Sequence, residues 1–212
     1  MTTNHQDEAM QQELLNLLAA RKGHFRLESG HHGNLWLDLD PLFLWPRRLR
    51  RFAIELVNGL SRYNIGAVCG PMVGGAFLAQ VVASVLDVEF YYTKRFVSPE
   101  HDALYPVKYR IANGLRKMVR GKDVAIVDDV INAGSAVRGT FAELQSCGAK
   151  PVVIGALLVL GPSASSFCSD QNIPLECIAY LPRDLWAPSE CPLCSSQTPL
   201  EDIAAEWPAH SL

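Results

Sequence analysis

The chain has 212 residues, of which 49% are hydrophobic and 19% charged, a balance that can bury a core and excludes a disordered chain. Its net charge of -3, from 19 Lys+Arg against 22 Asp+Glu, gives no global attraction to nucleic acid or to an anionic membrane. Any affinity for an anion must be built locally.

In chain order, Met1 to Met10 carries Asp7 and Glu8 and no apolar run, so no secretion signal is expected there. Met10, Leu14, Leu17 and Leu18 repeat at helical spacing, which predicts an amphipathic helix over 7–21 ending at Gly23. Phe25 and Leu27 alternate with Arg26 and Glu28. After a Gly/His turn region, Leu35, Leu37 and Leu39 alternate with Trp36, Asp38 and Asp40. These two runs predict a small antiparallel pair, a hood. Pro46 opens a second amphipathic helix through Leu49, Phe52, Ala53, Leu56, Val57 and Leu60.

From residue 63 the pattern becomes α/β. Apolar strands are expected at 65–69, 88–92, 124–127, 152–160 and 175–180, with helices at 76–86 and 134–147 and a long polar connection over 94–121. Strands apolar along their whole length imply a parallel sheet flanked by helices on both faces. The most apolar run, Val152 to Leu160, is nine residues, about half of a membrane-spanning helix. Five prolines between 182 and 208 predict an extended tail. The expected organisation is N-terminal helices and hood over 1–62, an α/β core over 63–182, and a tail over 183–212 packed on the domain. Six cysteines without framework spacing are expected to be reduced thiols in a cytoplasmic protein.

Ligands of parallel α/β sheets bind at the carboxyl ends of the strands, and two such ends stand out. In Val124-Ala-Ile-Val-Asp-Asp-Val-Ile-Asn-Ala-Gly-Ser-Ala136, Asp128 and Asp129 follow a core strand. Small residues then open a helix, whose N-terminal N–H groups and partial positive charge suit a phosphate. Asn132 and Ser135 add side-chain donors. Two carboxylates repel that phosphate and suit sugar hydroxyls, a metal or a developing cation. The second end, Gly70-Pro-Met-Val-Gly-Gly75, is a glycine loop before a helix.

The stretch Val127 to Ser135 resembles the 5-phosphoribosyl 1-diphosphate (PRPP) motif of type I phosphoribosyltransferases. Gly23-His-Phe-Arg-Leu-Glu-Ser-Gly-His31 and the tail around Cys191-Pro-Leu-Cys194 are similar to orotate phosphoribosyltransferases, so the likeness spans about 14–202. The resemblance implies a homodimeric enzyme that moves phosphoribose from PRPP to orotate, with Mg2+ on the pyrophosphate. Asp128 and Asp129 would hold the ribose, and Ile131, Asn132, Ala133, Gly134, Ser135 and Ala136 the 5-phosphate, with Val130 also in the substrate site. Gly70, Pro71, Gly74 and Gly75 would hold pyrophosphate. Lys94 matches a catalytic cation by position, with Arg95, His101, Lys108 and Arg110 nearby. The base would lie near Phe25, Arg26 and Trp36. Glu28 stands where the family places a basic residue, and Arg26, on the same strand face by alternation, could screen it. Asn132 replaces a usual threonine.

Two rivals remain: transfer to a different nucleobase, and a PRPP-binding regulator that uses Arg47, Arg48, Arg50 and Arg51 on nucleic acid. A polar helix face opposite Leu49 and Phe52 accounts for those arginines more simply. His31 and His32 form a conceivable metal pair but read as solvated turn residues. Cys191 and Cys194 have the spacing of half a zinc site. No second cysteine pair completes it, since eight residues separate Cys168 from Cys177. They are expected as structural thiols, and no metal ligand is assigned.

Overall fold

The computed structural model describes residues 5–97 and 107–202. Helix α1 (His5–Leu17) leads into strands β1 (Ala19–Arg26) and β2 (His32–Asp38), then helices α2 (Asp40–Phe43) and α3 (Pro46–Leu60). The first helix is shorter than its apolar spacing predicts. Residues Ala19 to Lys22 instead pair with Asp38 to Leu35 of β2, so their backbone groups are satisfied across the hairpin rather than along a helix.

The core follows as β3 (Ala67–Pro71), α4 (Gly74–Leu86), β4 (Glu89–Val97), β5 (Val107–Ile111), β6 (Asp123–Ile131), α5 (Ser135–Ser146), β7 (Lys150–Leu160), α6 (Ser163–Asp170) and β8 (Leu175–Leu181). Their order is β5-β4-β3-β6-β7-β8. All neighbours are parallel except β5, which runs antiparallel to β4. The expected polar connection therefore contains an edge strand. Its Val107, Tyr109 and Ile111 are buried while Lys108 and Arg110 are exposed, a period of two interrupted by charge.

Alternation along the central strands divides the core between the two sheet faces. Val68, Ala125, Val127 and Leu157 pack with Leu56 and Leu60 of α3 and Leu78 and Val82 of α4. Ala67, Cys69, Val124, Ile126 and Ile154 pack with Val137, Phe141 and Leu144 of α5 and Phe167 of α6. Burying a Leu, Ile or Phe side chain contributes about 1.5–3 kcal/mol, so these two faces fix the positions of the strand ends. Leu37, Leu39 and Leu42 extend the first cluster into the hood.

The tail adds β9 (Leu185–Trp186), a short 3-10 turn, helix α7 (Pro192–Ser195) and β10 (Glu201–Asp202). Strands β9 and β10 flank the hairpin to make a four-stranded sheet, β10-β1-β2-β9. Among the described residues no helix is long and apolar enough to cross a membrane, and all six cysteines are free thiols.

Candidate active site

The sheet changes direction between β3 and β6: β3 continues to β4 on one side and has β6 on the other. Such a switch point leaves a crevice at the carboxyl ends of the two strands. Both sequence-singled strand ends meet there. An ideal Cβ on Gly74 would stand 2.3 Å from Asp129 Oδ2, and one on Gly75 would stand 2.4 Å from Asp128 Oδ1. The glycine loop therefore lies directly against the carboxylate pair, a closeness that any side chain would prevent. Gly70 and Pro71 are buried at the end of β3 beneath that loop.

Asp128 is 6% exposed, and its Oδ1 accepts the Asp129 N–H at 3.1 Å. Burial raises the Asp128 carboxyl well above its ordinary range, and the charge of Asp129 raises it further. Burial also raises that of Asp129. Among the described residues neither carboxylate has an ion-pair partner. Two desolvated like charges side by side await a cation or hydroxyl donors.

Beyond the pair, Gly134 sits at φ 85°, in the left-handed region, and no side chain caps the N-terminus of α5. The turn thus aims the uncapped helix end along the cleft. Val130 to Ala136 line the cleft together with Asp128, Leu160 and the hood residues Leu27, Glu28, Ser29, Trp36 and Leu37. The hood and the 130–136 loop share one cavity.

Several predicted site residues stand elsewhere. Phe25 is 1% exposed, with the Arg21 guanidinium 5.6 Å from its ring centroid; it is a hood core residue and does not line the cleft. Arg26 points to the tail, 3.6 Å from Asp202, and does not screen Glu28. Strand β1 ends at Arg26, so the alternation that would align the two does not reach Glu28. Arg95 pairs with Glu28 instead, at 2.8 Å, and the Tyr109 hydroxyl donates to Glu28 Oε1 at 2.7 Å. The Glu28 charge is therefore already answered from β4 and β5.

On β4, Thr93 is fully buried and shares a 2.8 Å hydrogen bond with Thr140 of α5. Alternation puts Arg95 on that same face and the exposed Lys94 on the opposite one, in register with Arg110. Lys108 is exposed two pairs further along, opposite Phe96. His101 lies outside the described residues. Arg47, Arg50 and Arg51 are exposed on α3 opposite its buried Leu49, Phe52 and Leu56, with Arg51 paired to Glu13 at 3.0 Å.

Sequence reading missed Arg183. Its guanidinium donates to Asn132 Oδ1 in the loop before α5, while its buried Nε and second terminal nitrogen have no protein partner. Burial lowers its pKa to about 10, so it stays cationic near neutrality. The available signal was its place, two residues past Leu181 at the carboxyl end of β8.

Sequence reading also missed a cluster on the far side of the hood. His31 turns toward Ser29, its Nδ1 3.1 Å from the hydroxyl. His32 meets His24, Cys191 and Cys194. The expected cysteine pair has a second pair after all, made of histidines.

A cleft with a carboxylate pair and an uncapped helix end at a sheet switch point, with a half-buried guanidinium on the adjoining loop, defines an α/β protein that takes a phosphorylated sugar. Comparison with known proteins gives that class its family. The phosphoribosyl transferase domain matches residues 42–172, and the chain belongs to that family. It is 29% identical over 189 residues to the orotate phosphoribosyltransferase of Thermotoga maritima, covering 86% of this chain and 90% of that protein. It is 26% identical over 197 residues to that of Helicobacter pylori strain Shi470, covering 88% and 93%. The fold matches orotate phosphoribosyltransferase from Aeropyrum pernix with TM-score 0.60 at 19% identity, covering 82% of this chain and 93% of that one. It also matches adenine phosphoribosyltransferase from Rhodothermus marinus with TM-score 0.65 at 17% identity, covering 82% and 99%.

Proposed function

We propose that this protein transfers 5-phosphoribose from PRPP to orotate with release of pyrophosphate. The observation that carries the reading is the contact of the Gly74–Gly75 loop with the Asp128–Asp129 pair, at the mouth of the cleft covered by the hood. The reaction replaces the C1–pyrophosphate bond by a bond to a ring nitrogen, through a transition state with positive charge on the ribose. Asp128 and Asp129 accept from the ribose hydroxyls and favour that charge electrostatically. The N-terminus of α5, with Ser135 and Asn132, holds the 5-phosphate, and Arg183 adds a cation at the same loop. Backbone N–H groups of the 70–75 loop face the pyrophosphate. Trp36, with Leu27 and Leu37, supplies the apolar part of the cleft for a flat base.

The donor set also fits Mg2+: a buried and a half-buried carboxylate, hard oxygen ligands without a protein cation among the described residues. Asp128 and Asp129 would hold it together with substrate oxygens. When bound, Mg2+ supplies Lewis-acid stabilisation of the negative charge on the leaving pyrophosphate. Lys94, Lys108 and Arg110, aligned on one face of the β4–β5 hairpin, supply further positive charge beside the loop, and Arg95 holds Glu28 away from repelling the substrate.

The reading includes a homodimer. Leu44 and Trp45 are 74% and 63% exposed, and Phe77, 49% exposed, lies next to Phe43 with ring centroids 5.6 Å apart. An apolar face of that kind beside the glycine loop supports association with a second copy. Six free thiols support a cytoplasmic setting. The test is pyrophosphate release from PRPP and Mg2+ with a panel of free bases. Turnover with orotate is expected, whereas turnover only with a purine base would overturn the base assignment. Binding of PRPP without turnover on any base would favour a regulator.

A further inference from the structure

Four potential metal ligands converge from opposite ends of the chain, away from the cleft. His24 comes from β1, His32 from the start of β2, and Cys191 and Cys194 from the tail. The chain folds back over more than 150 residues to bring them together, since 167 positions separate Cys191 from His24. His24, His32 and Cys191 are 3%, 5% and 1% exposed.

We propose that this cluster is a structural zinc site that fastens the tail to the hood, with His24 Nε2, His32 Nδ1, Cys191 Sγ and Cys194 Sγ as its four ligands. The argument is geometric. A tetrahedral zinc with bonds of about 2.0–2.1 Å to nitrogen and about 2.3 Å to sulfur requires definite separations between its ligands. Those bonds imply about 3.3 Å between two nitrogens, about 3.6 Å between nitrogen and sulfur, and about 3.8 Å between two sulfurs. Here the two nitrogens are 3.1 Å apart. The nitrogen–sulfur separations are 3.4 Å from Cys191 to His24, 3.7 Å from Cys194 to His24 and 3.2 Å from Cys194 to His32. All four atoms lie within 4.8 Å of one another. These four separations are each within about 0.4 Å of the edges of a zinc coordination tetrahedron.

An outer partner supports the same assignment. His24 Nδ1 lies 2.8 Å from the carbonyl oxygen of Thr198. A carbonyl only accepts, so the Nδ1 proton is fixed and Nε2 turns its lone pair toward the cluster. Backbone carbonyls orient metal-bound histidines in this way. Two sulfurs and two imidazoles select zinc over magnesium or calcium, which take oxygen ligands. Binding replaces two thiol protons by one Zn2+, leaving the centre neutral and releasing two protons. No electron changes hands.

The ligand spacing also defines what the metal does. Cys191 and Cys194 bracket the start of α7, and Thr198 follows it, while β9 and β10 pair with β2 and β1 on either side. The metal therefore ties the tail at its middle, between two short strands of two residues each. The adjoining turn carries Leu27, Glu28 and Ser29 into the cleft, so the clamp sets how firmly the hood is held over the substrate.

The experiment uses the full chain, purified untagged under reducing conditions from zinc-supplemented medium. Elemental analysis should return one zinc per chain. Cobalt exchanged into the protein should show intense visible bands of tetrahedral coordination and a near-ultraviolet thiolate charge-transfer band. Cys194→Ser should weaken zinc binding beyond the roughly 10–100-fold that loss of an outer partner costs, and chelation of the wild type should lower its Tm and expose two additional thiols to a thiol reagent. Sub-stoichiometric zinc with octahedral cobalt spectra would overturn the proposal. So would a Cys191–Cys194 disulfide in the native protein, or zinc binding unchanged in a folded Cys194→Ser variant. Should that variant not fold, the cobalt spectrum and thiol count of the wild type decide the matter.

Discussion

Replacing Gly74 by alanine tests the active-site reading with one methyl group. The new Cβ would lie 2.3 Å from Asp129 Oδ2 and 2.7 Å from its Cγ, and Asp129 supplies all three of its nearest contacts. An ordinary contact needs about 3.5 Å, so the carboxylate oxygen must retreat by about 1.2 Å. Rotating it off its preferred conformation costs about 0.5–1.5 kcal/mol. Gly74 is the first residue of α4, where replacing glycine returns up to about 1 kcal/mol of helix propensity. The two terms nearly cancel, and Tm should hardly move. Catalysis has no such offset. A displacement of about 1 Å at a positioned group can lower the rate about 100-fold, or about 2.7 kcal/mol on the barrier. Steady-state pyrophosphate release with PRPP, Mg2+ and orotate, measured beside thermal unfolding, separates the two effects. The double variant with Asp129→Asn should be no slower than Asp129→Asn alone, since both changes act through one carboxylate. Wild-type kcat/KM in a folded Gly74→Ala protein would refute the reasoning.

Burial and Asp129 raise the folded-state carboxyl of Asp128, so its protonation favours folding below the unfolded value of about 3.9, and that contribution is lost as pH rises through the folded value. Asp128→Asn should therefore raise the Tm of the ligand-free protein at pH 7, by a margin that shrinks toward pH 4, while removing most turnover; a lower Tm than wild type at pH 7 would contradict the assignment. Arg183→Met keeps most of the side-chain volume and removes the cation beside Asn132. Charge-assisted hydrogen bonds contribute about 1.5–3 kcal/mol, so the KM for PRPP should rise at least about 10-fold, and an unchanged KM in a folded variant would exclude Arg183 from phosphate binding.

Local patterns carried the core. Strands β3, β6 and β7 are buried on both faces, so their apolar runs are visible within a few residues, and Asp128 and Asp129 interrupt such a run where it leaves the core. Strand β5 was hidden because an edge strand shows one face to solvent, and Lys108 and Arg110 make it look like loop. Ala19 to Lys22 continue a helical composition, and only pairing with β2 makes them a strand. The same limit explains the site residues that were missed. Arg183 meets Asn132 across 51 positions, and Glu28 meets Tyr109 across 81. A periodicity argument has no reach over such distances, whereas the Asp128–Asp129 pair is its own neighbour.

The hood's outer strands have a consequence for biosynthesis. Phe25 pairs with Glu201 and Arg26 with Asp202, so β1 leaves a ribosome long before its partner strand is made. Until then the β1–β2 hairpin exposes two unpaired edges, which are templates for association with other chains. The six-stranded sheet needs none of residues 185–202 and can consolidate before the hood closes. Closure of so long a loop is a slow, entropically opposed event. A chain cut off near residue 185 would thus hold a formed 132–135 loop under an unfinished roof, with both hairpin edges open to other chains.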